Sequence, residues 1–191
     1  MLTAQPQLKR WTKAEYYRVG ETGIFQGQHV ELVEGEIVQL PPKTEPHSQM
    51  LMLANEALRP AFLAGHVIRI HMPMNLGDAT EPEPDILVVE GTPRTVRPHP
   101  RSADLIVEIS ESSGLDYDRG RKASLYAKHG IQDYWIINLV DNQLEVHRKP
   151  IADAEEPFGF RYEQVMLLRP GSFVRPLAAA RSKIAVAELL P

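Results

Sequence analysis

The chain has 191 residues, 43% hydrophobic and 24% charged, which suits one soluble globular domain able to bury a core without staples. It has no cysteine, so disulfides, cysteine-ligated zinc and a thiol nucleophile are excluded. The net charge of -4 argues against a tight general nucleic-acid binder, whose footprint is strongly basic, but leaves room for an enzyme with a local basic patch beside an acidic metal site.

No stretch approaches the ~20 apolar residues that span a bilayer, and "MLTAQPQLKRWTKAEYY" lacks the apolar core of a signal peptide, so no membrane partner is expected. A reducing cytoplasm fits a cysteine-free chain. Thr12 followed by Glu15 is a capping-box pattern for a short helix ending near Gly20. "HVELVEGEIVQL" alternates on both sides of Glu34-Gly35 and predicts a β-hairpin. Met50, Leu53, Leu58 and Phe62 predict a helix from about His47 to Leu63, with Pro60 disturbing its last turn.

"HVIRIHMPMNL", "DILVVE" and "DLIVEIS" follow as β segments, the last two separated by a proline-rich loop that carries Arg94, Arg97 and Arg101. The span from about Asp116 to His129 predicts a helix, loosened at Gly120 and ended by Gly130. "IQDYWIINLV" and "QLEVHRK" are strands joined at Asp141-Asn142, with Tyr134 and Trp135 read as core residues. "FRYEQVMLL" and "SFVRP" are expected to form a hairpin around Pro170-Gly171, and "KIAVAELL" a closing helix. This order predicts an α+β fold with a mixed sheet.

Two acids stand out against this background. Along "DLIVEIS", Leu105, Val107 and Ile109 share one face, and Asp104, Ile106, Glu108 and Ser110 the other. Glu108 is thus an acid inside an apolar strand, which is costly unless it is paired, protonated or bound to a metal. Asp85 stands at the mouth of another strand, in "EPEPDILVVE". Asp118 and Lys122 lie four apart on one helix face, so Lys122 can lean back over the strand that carries Glu108. Two carboxylates suit a hard cation such as Mg²⁺, which polarises a phosphoryl oxygen and activates water, and a lysine stabilises the developing anion.

These residues sit in stretches that resemble the Uma-type restriction endonuclease family of the PD-(D/E)xK nuclease superfamily. The matching stretches are "HVELVEGEIVQLPP", "PHSQMLMLANEAL", "PEPDILVV", "ADLIVEISESS" and "DYDRGRKASLYAKHGIQDYWIINL", with "WTKAEYY" ahead of them. The last is the most specific, with Asp118, Lys122, Tyr126, Gly130 and Tyr134-Trp135 at the family's spacing.

The resemblance implies a restriction-endonuclease-like core, a central mixed sheet flanked by helices. It implies one nuclease-like domain over residues 1–191, with the family core at about 10–150 and an extension at about 151–191. Asp85 and Glu108 would hold Mg²⁺, with Mn²⁺ a possible substitute, and the backbone carbonyl of Ile109 would complete the site. Two residues after Glu108 stands Ser110 rather than lysine; the family's lysine maps to Lys122 on the next helix. Glu31 and His47 also match the pattern and are expected as neighbours of the site. The implied partner is nucleic acid, DNA before RNA, and a homodimer is open. The alternative is a nuclease-fold protein that binds nucleic acid or protein without cutting.

Overall fold

Helix α1 (Lys13–Gly20) begins where Thr12 accepts from the Glu15 N–H and the Glu15 carboxylate returns to the Thr12 N–H, the reciprocal cap that the sequence predicts. The computed structural model describes residues 6–191. β1 (His29–Val33) and β2 (Glu36–Leu40) form the expected hairpin. Its turn needs positive φ at both central residues, and Glu34 (50°) and Gly35 (78°) supply it. A side chain at Gly35 would also meet Arg10 Cβ at 2.8 Å, so this corner closes against the segment that leads into α1.

α2 (Glu45–Leu58) is capped by Thr44 and runs into a 3₁₀ turn at Arg59–Phe62, where Pro60 cannot continue the α ladder. Six strands then build one sheet: β3 (His66–Ile70), β4 (Ile86–Glu90), β5 (Leu105–Ser110), β6 (Asp133–Asn138), β7 (Gln143–Ala152) and β8 (Phe160–Leu168), in spatial order β3-β4-β5-β6-β7-β8. All neighbours are antiparallel except β5 and β6. That parallel pair requires a crossover, and the helical segment between them provides it.

The crossover is not a plain α-helix. α3 (Leu115–Tyr117) passes into a π-helical turn at Asp118–Lys122 and then into α4 (Ala123–Lys128), with Gly130 in the left-handed region at the end. The sequence predicts a continuous helix here. The wider π turn instead directs both Asp118 and Lys122 inward, where both are buried.

The face of the sheet carrying Ile86, Val88, Leu105, Val107 and Ile109 packs on Met50, Leu51, Ala54 and Leu58 of α2 and on the C-terminal Val186 and Leu189. The opposite face, with Leu87, Ile106, Tyr134 and Ile136, packs on Leu125 and Tyr126 of α4. Each large side chain so buried contributes about 1.5–3 kcal/mol, and Tyr134 and Trp135 are fully buried as expected.

Two C-terminal expectations are corrected. "FRYEQVMLL" pairs with β7 rather than with "SFVRP", because the long β7 offers it an eight-pair antiparallel register. β9 (Phe173–Val174) pairs instead with β10 (Ile184–Ala185), and only a 3₁₀ turn at Val186–Leu189 follows. Among the described residues, no helix is long and apolar enough to cross a membrane.

Candidate active site

Strand register creates the site. β4 pairs with β5 as far as Ile86 opposite Val107; one step further places Asp85 opposite Glu108. The pair is locked by reciprocal bonds: the Asp85 N–H donates to Glu108 Oε2 (3.2 Å) and the Ile109 N–H donates to Asp85 Oδ2 (2.8 Å). On the other side of β4, Ile70 opposes Ile86, so the next step sets His71 beside Asp85, and the His71 N–H donates to the Asp85 carbonyl (3.2 Å). The carbonyl of Ile109 leaves an extended strand on the same side as its N–H, toward Asp85.

Each flanking element adds a side chain. From the π turn, Lys122 Nζ donates to Glu108 Oε1 at 2.9 Å and lies 3.5 Å from Glu31 Oε1 of β1. From α4, the Tyr126 hydroxyl donates to the same Glu108 oxygen at 2.7 Å. Asp118 is bonded by the Ser110 hydroxyl. From the first turn of α2, His47 Nε2 lies 3.0 Å from Asp85 Oδ2. Asp85 Oδ1 faces His71 Nε2 at 3.2 Å and Lys43 Nζ at 3.5 Å. A cavity of about 80 Å³ opens over this cluster, lined among others by Lys43, His47, Asp85, Glu108, Asp118 and Lys122.

The electrostatics are those of crowded acids. Glu31, Asp85, Glu108 and Asp118 are all buried, with Lys122 as the buried cation among them. Burial pushes the Glu108 carboxyl up, to about 8; Lys122 opposes this, and the charges of Asp85, Asp118 and Glu31 reinforce it. Burial likewise raises Asp118 to about 6, against Lys122 and the Ser110 bond. Burial alone would raise Asp85 too, but His47 and His71 outweigh it and hold this carboxyl well below the usual range. Burial would lower Lys122, yet Glu108, Glu31, Asp118 and Asp85 keep it firmly charged.

The structure therefore brings together Asp85, Glu108, Lys122, Glu31 and His47. Arg121, the cation next to Lys122 in the chain, points away to Glu36. Arg69 takes the carbonyls of Arg97 and Pro98, which holds part of the arginine-bearing loop against β3. Two residues were missed, and the sequence marks Tyr126 only as part of the family's spacing, although it follows Lys122 by four. Lys43 carries no local signal of proximity. His71 could have been found by setting β3 in register against β4.

A divalent cation fits these residues. The acids outnumber the buried lysine, and among the described residues Glu31 Oε2 is buried with no hydrogen-bond partner. His47, His71 and Asp85 each offer one ligand atom, and these atoms lie within 4.8 Å of one another.

Comparison with known proteins agrees with this architecture. The Uma2 family model, described as "Putative restriction endonuclease", matches residues 14–183. A crystal structure from Anabaena variabilis ATCC 29413, described as "a putative nuclease belonging to DUF820", superposes with a TM-score of 0.67 at 18% identity, covering 94% of this chain and 97% of that one. At that identity the likeness speaks for the fold. No curated protein matches the chain.

Proposed function

Because the chain belongs to the Uma2 family, we propose that it is a divalent-metal-dependent endonuclease that hydrolyses phosphodiester bonds, with DNA as substrate. The observation that carries this reading is the cross-strand pair Asp85 and Glu108, at the floor of a cavity and tied to a buried lysine. Asp85, Glu108 and the Ile109 carbonyl would hold the ion, with Mg²⁺ as the expected cation and Mn²⁺ as its substitute. When bound, such an ion supplies Lewis-acid polarisation of a phosphoryl oxygen and lowers the pKa of water.

The chain's own residues do the rest. Lys122 fixes the Glu108 carboxylate through Oε1 and brings positive charge to a site where negative charge develops on phosphate. Tyr126 donates to the same oxygen and so limits the rotation of Glu108. Glu31 draws on Lys122 and accepts the Glu83 N–H, which ties the β1–β2 hairpin to the segment before Asp85. Lys43, which lines the cavity, would meet an incoming phosphate.

The test is cleavage of supercoiled DNA, single-stranded DNA and RNA by purified protein with Mg²⁺ or Mn²⁺ and with chelator. Metal-dependent cutting that Glu108→Gln abolishes supports the reading. Failure to cut any of these substrates with either ion contradicts it. In that case the second reading gains, a nuclease-fold binding module. It draws on the net charge of -4 and on a lysine that stands on a helix and is already paired.

A further inference from the structure

We propose that Arg169, Arg175, Arg181 and Lys183, on and beside the β9–β10 pair, form a docking surface for the phosphate backbone of a nucleic acid, separate from the cavity over Asp85 and Glu108. The proposal goes beyond the function proposed above and rests on it only for the choice of nucleic acid among polyanions.

Residues 169–183, "RPGSFVRPLAAARSK", carry four cations and no acid, in a chain whose net charge is -4. Elsewhere on the surface exposed cations meet acids, as Lys9 meets Glu15, Arg10 meets Glu36 and Lys149 meets Glu163. Among the described residues Arg169, Arg175, Arg181 and Lys183 form no ion pair, and all four are exposed. The fold gathers them. Phe173 and Val174 pair with Ala185 and Ile184. Val174 and Ile184 turn onto the core, so strand alternation turns Phe173, Arg175 and Lys183 outward. One step beyond the pair, the same register sets Arg175 opposite Lys183. Like charges directly opposite across two strands cost stability. An anion arriving from outside relieves that cost.

Two contacts hold the charges in place. Lys183 Nζ stands 3.5 Å from the centroid of the exposed Phe173 ring, which keeps the ammonium over an aromatic face. Arg175 Nη1 donates to the Arg181 carbonyl at 3.4 Å, which ties Arg175 to the turn before β10. Cations of one sign beside an exposed aromatic ring are the combination that tracks a nucleic-acid backbone and offers a face to its bases. The segment is anchored beside the start of β6, where the Leu177 N–H donates to Asp133 and Arg148 donates to the Arg175 carbonyl. Glu108 lies beside Ile136, further along the parallel pair, and none of residues 169–183 lines the cavity there. The surface therefore grips nucleic acid away from the bond to be cut, and it carries no sequence preference, because phosphate contacts position without specifying.

The test is fluorescence anisotropy of a labelled DNA duplex titrated with full-length protein across a range of salt, in chelator so that no ion bridges the duplex to the catalytic acids. Binding should weaken with salt, log K falling by about 0.9 per log unit of salt for each phosphate held. The double variant Arg175→Gln with Lys183→Gln should lose about two such contacts from the slope and weaken binding roughly tenfold at low salt. Arg175→Lys keeps the charge and should keep the slope. A wild-type slope in the double variant overturns the proposal, as does duplex binding that is absent or indifferent to salt. Equal loss in Arg175→Lys would trace the effect to packing rather than charge and overturns it too. Tighter binding to phosphatidylserine–phosphatidylcholine vesicles than to the duplex would assign the surface to a membrane instead. Salt-dependent binding by a protein that never cuts leaves this proposal standing and fails the endonuclease reading. Cutting by a protein whose slope ignores the double variant does the reverse.

Discussion

Asp133 and Glu145 are as deeply buried as Asp85 and Glu108, yet the two pairs of acids are solved in opposite ways. Asp133 Oδ1 accepts from Trp135 Nε1 and Arg148 Nε, and its Oδ2 accepts from the Leu177 N–H and Arg148. Glu145 is closed by Arg119, Asn138 and Gln143. Each buried acid there has an arginine and neutral donors, although Arg119 and Asn138 also reach the exposed Asp141. Around Asp85 the acids crowd one another, and Glu108 and Glu31 share Lys122 as their buried cation. Burial of an acid does not mark a site. An excess of buried acids over buried cations gathered at one point does.

Isosteric loss of charge should affect the two regions differently. Asp133→Asn strands Arg148, whose side chain is only 16% exposed, and should cost about 3 kcal/mol or more in urea unfolding. Glu108→Gln removes one of several crowded acids and should cost less than about 1 kcal/mol, because Lys122 keeps Glu31. Equal losses in the two variants would erase the distinction.

A smaller effect is expected on acidification. Burial pushes the Glu145 carboxyl up, but His147, Arg119, Asn138 and Gln143 more than offset that and leave it well below the usual range. Its folded pKa is therefore below its unfolded value of about 4.3, so the unfolded chain binds the extra proton. The stabilisation is present above about pH 5 and fades as pH falls through 4 toward the folded value. The stability gap between wild type and Glu145→Gln, on the order of 1–2 kcal/mol at pH 7, should shrink by pH 4 in parallel chemical denaturation series.

Smallest is Gly120→Ala. Gly120 lies in the π turn with an ordinary negative φ, and an added Cβ meets nothing within 4 Å. Stability should rise by up to about 1 kcal/mol with cleavage intact, as read by thermal unfolding and the plasmid assay. Loss of cleavage at unchanged stability would mean that the turn must flex.

Much of this was legible in sequence because it is local. The period of two in "DLIVEIS" sets Glu108 on the face of Ile106, and Thr12 with Glu15 fixes the start of α1. The helical spacing of Lys122 brings it back over the strand, though the π turn that accomplishes this has no residue signature of its own beyond Gly120. What sequence did not yield depends on pairing between distant segments. His71 meets Asp85 only through the β3–β4 register, and Lys43 arrives on the loop before α2. β8 could not be assigned to β7 because its alternation suits either neighbour, and the length of β7 decides the matter only once the sheet exists.

The central claim is that Asp85 holds a divalent ion together with neighbours drawn from across the sheet. Crystals soaked in Mn²⁺ and measured at the manganese absorption edge test it most directly. One anomalous peak per chain is expected at roughly 2.0–2.3 Å from the Asp85 carboxylate, bordered by Glu108 and the two imidazoles. A structure with no peak at Asp85, at a Mn²⁺ concentration that supports cleavage, would contradict it.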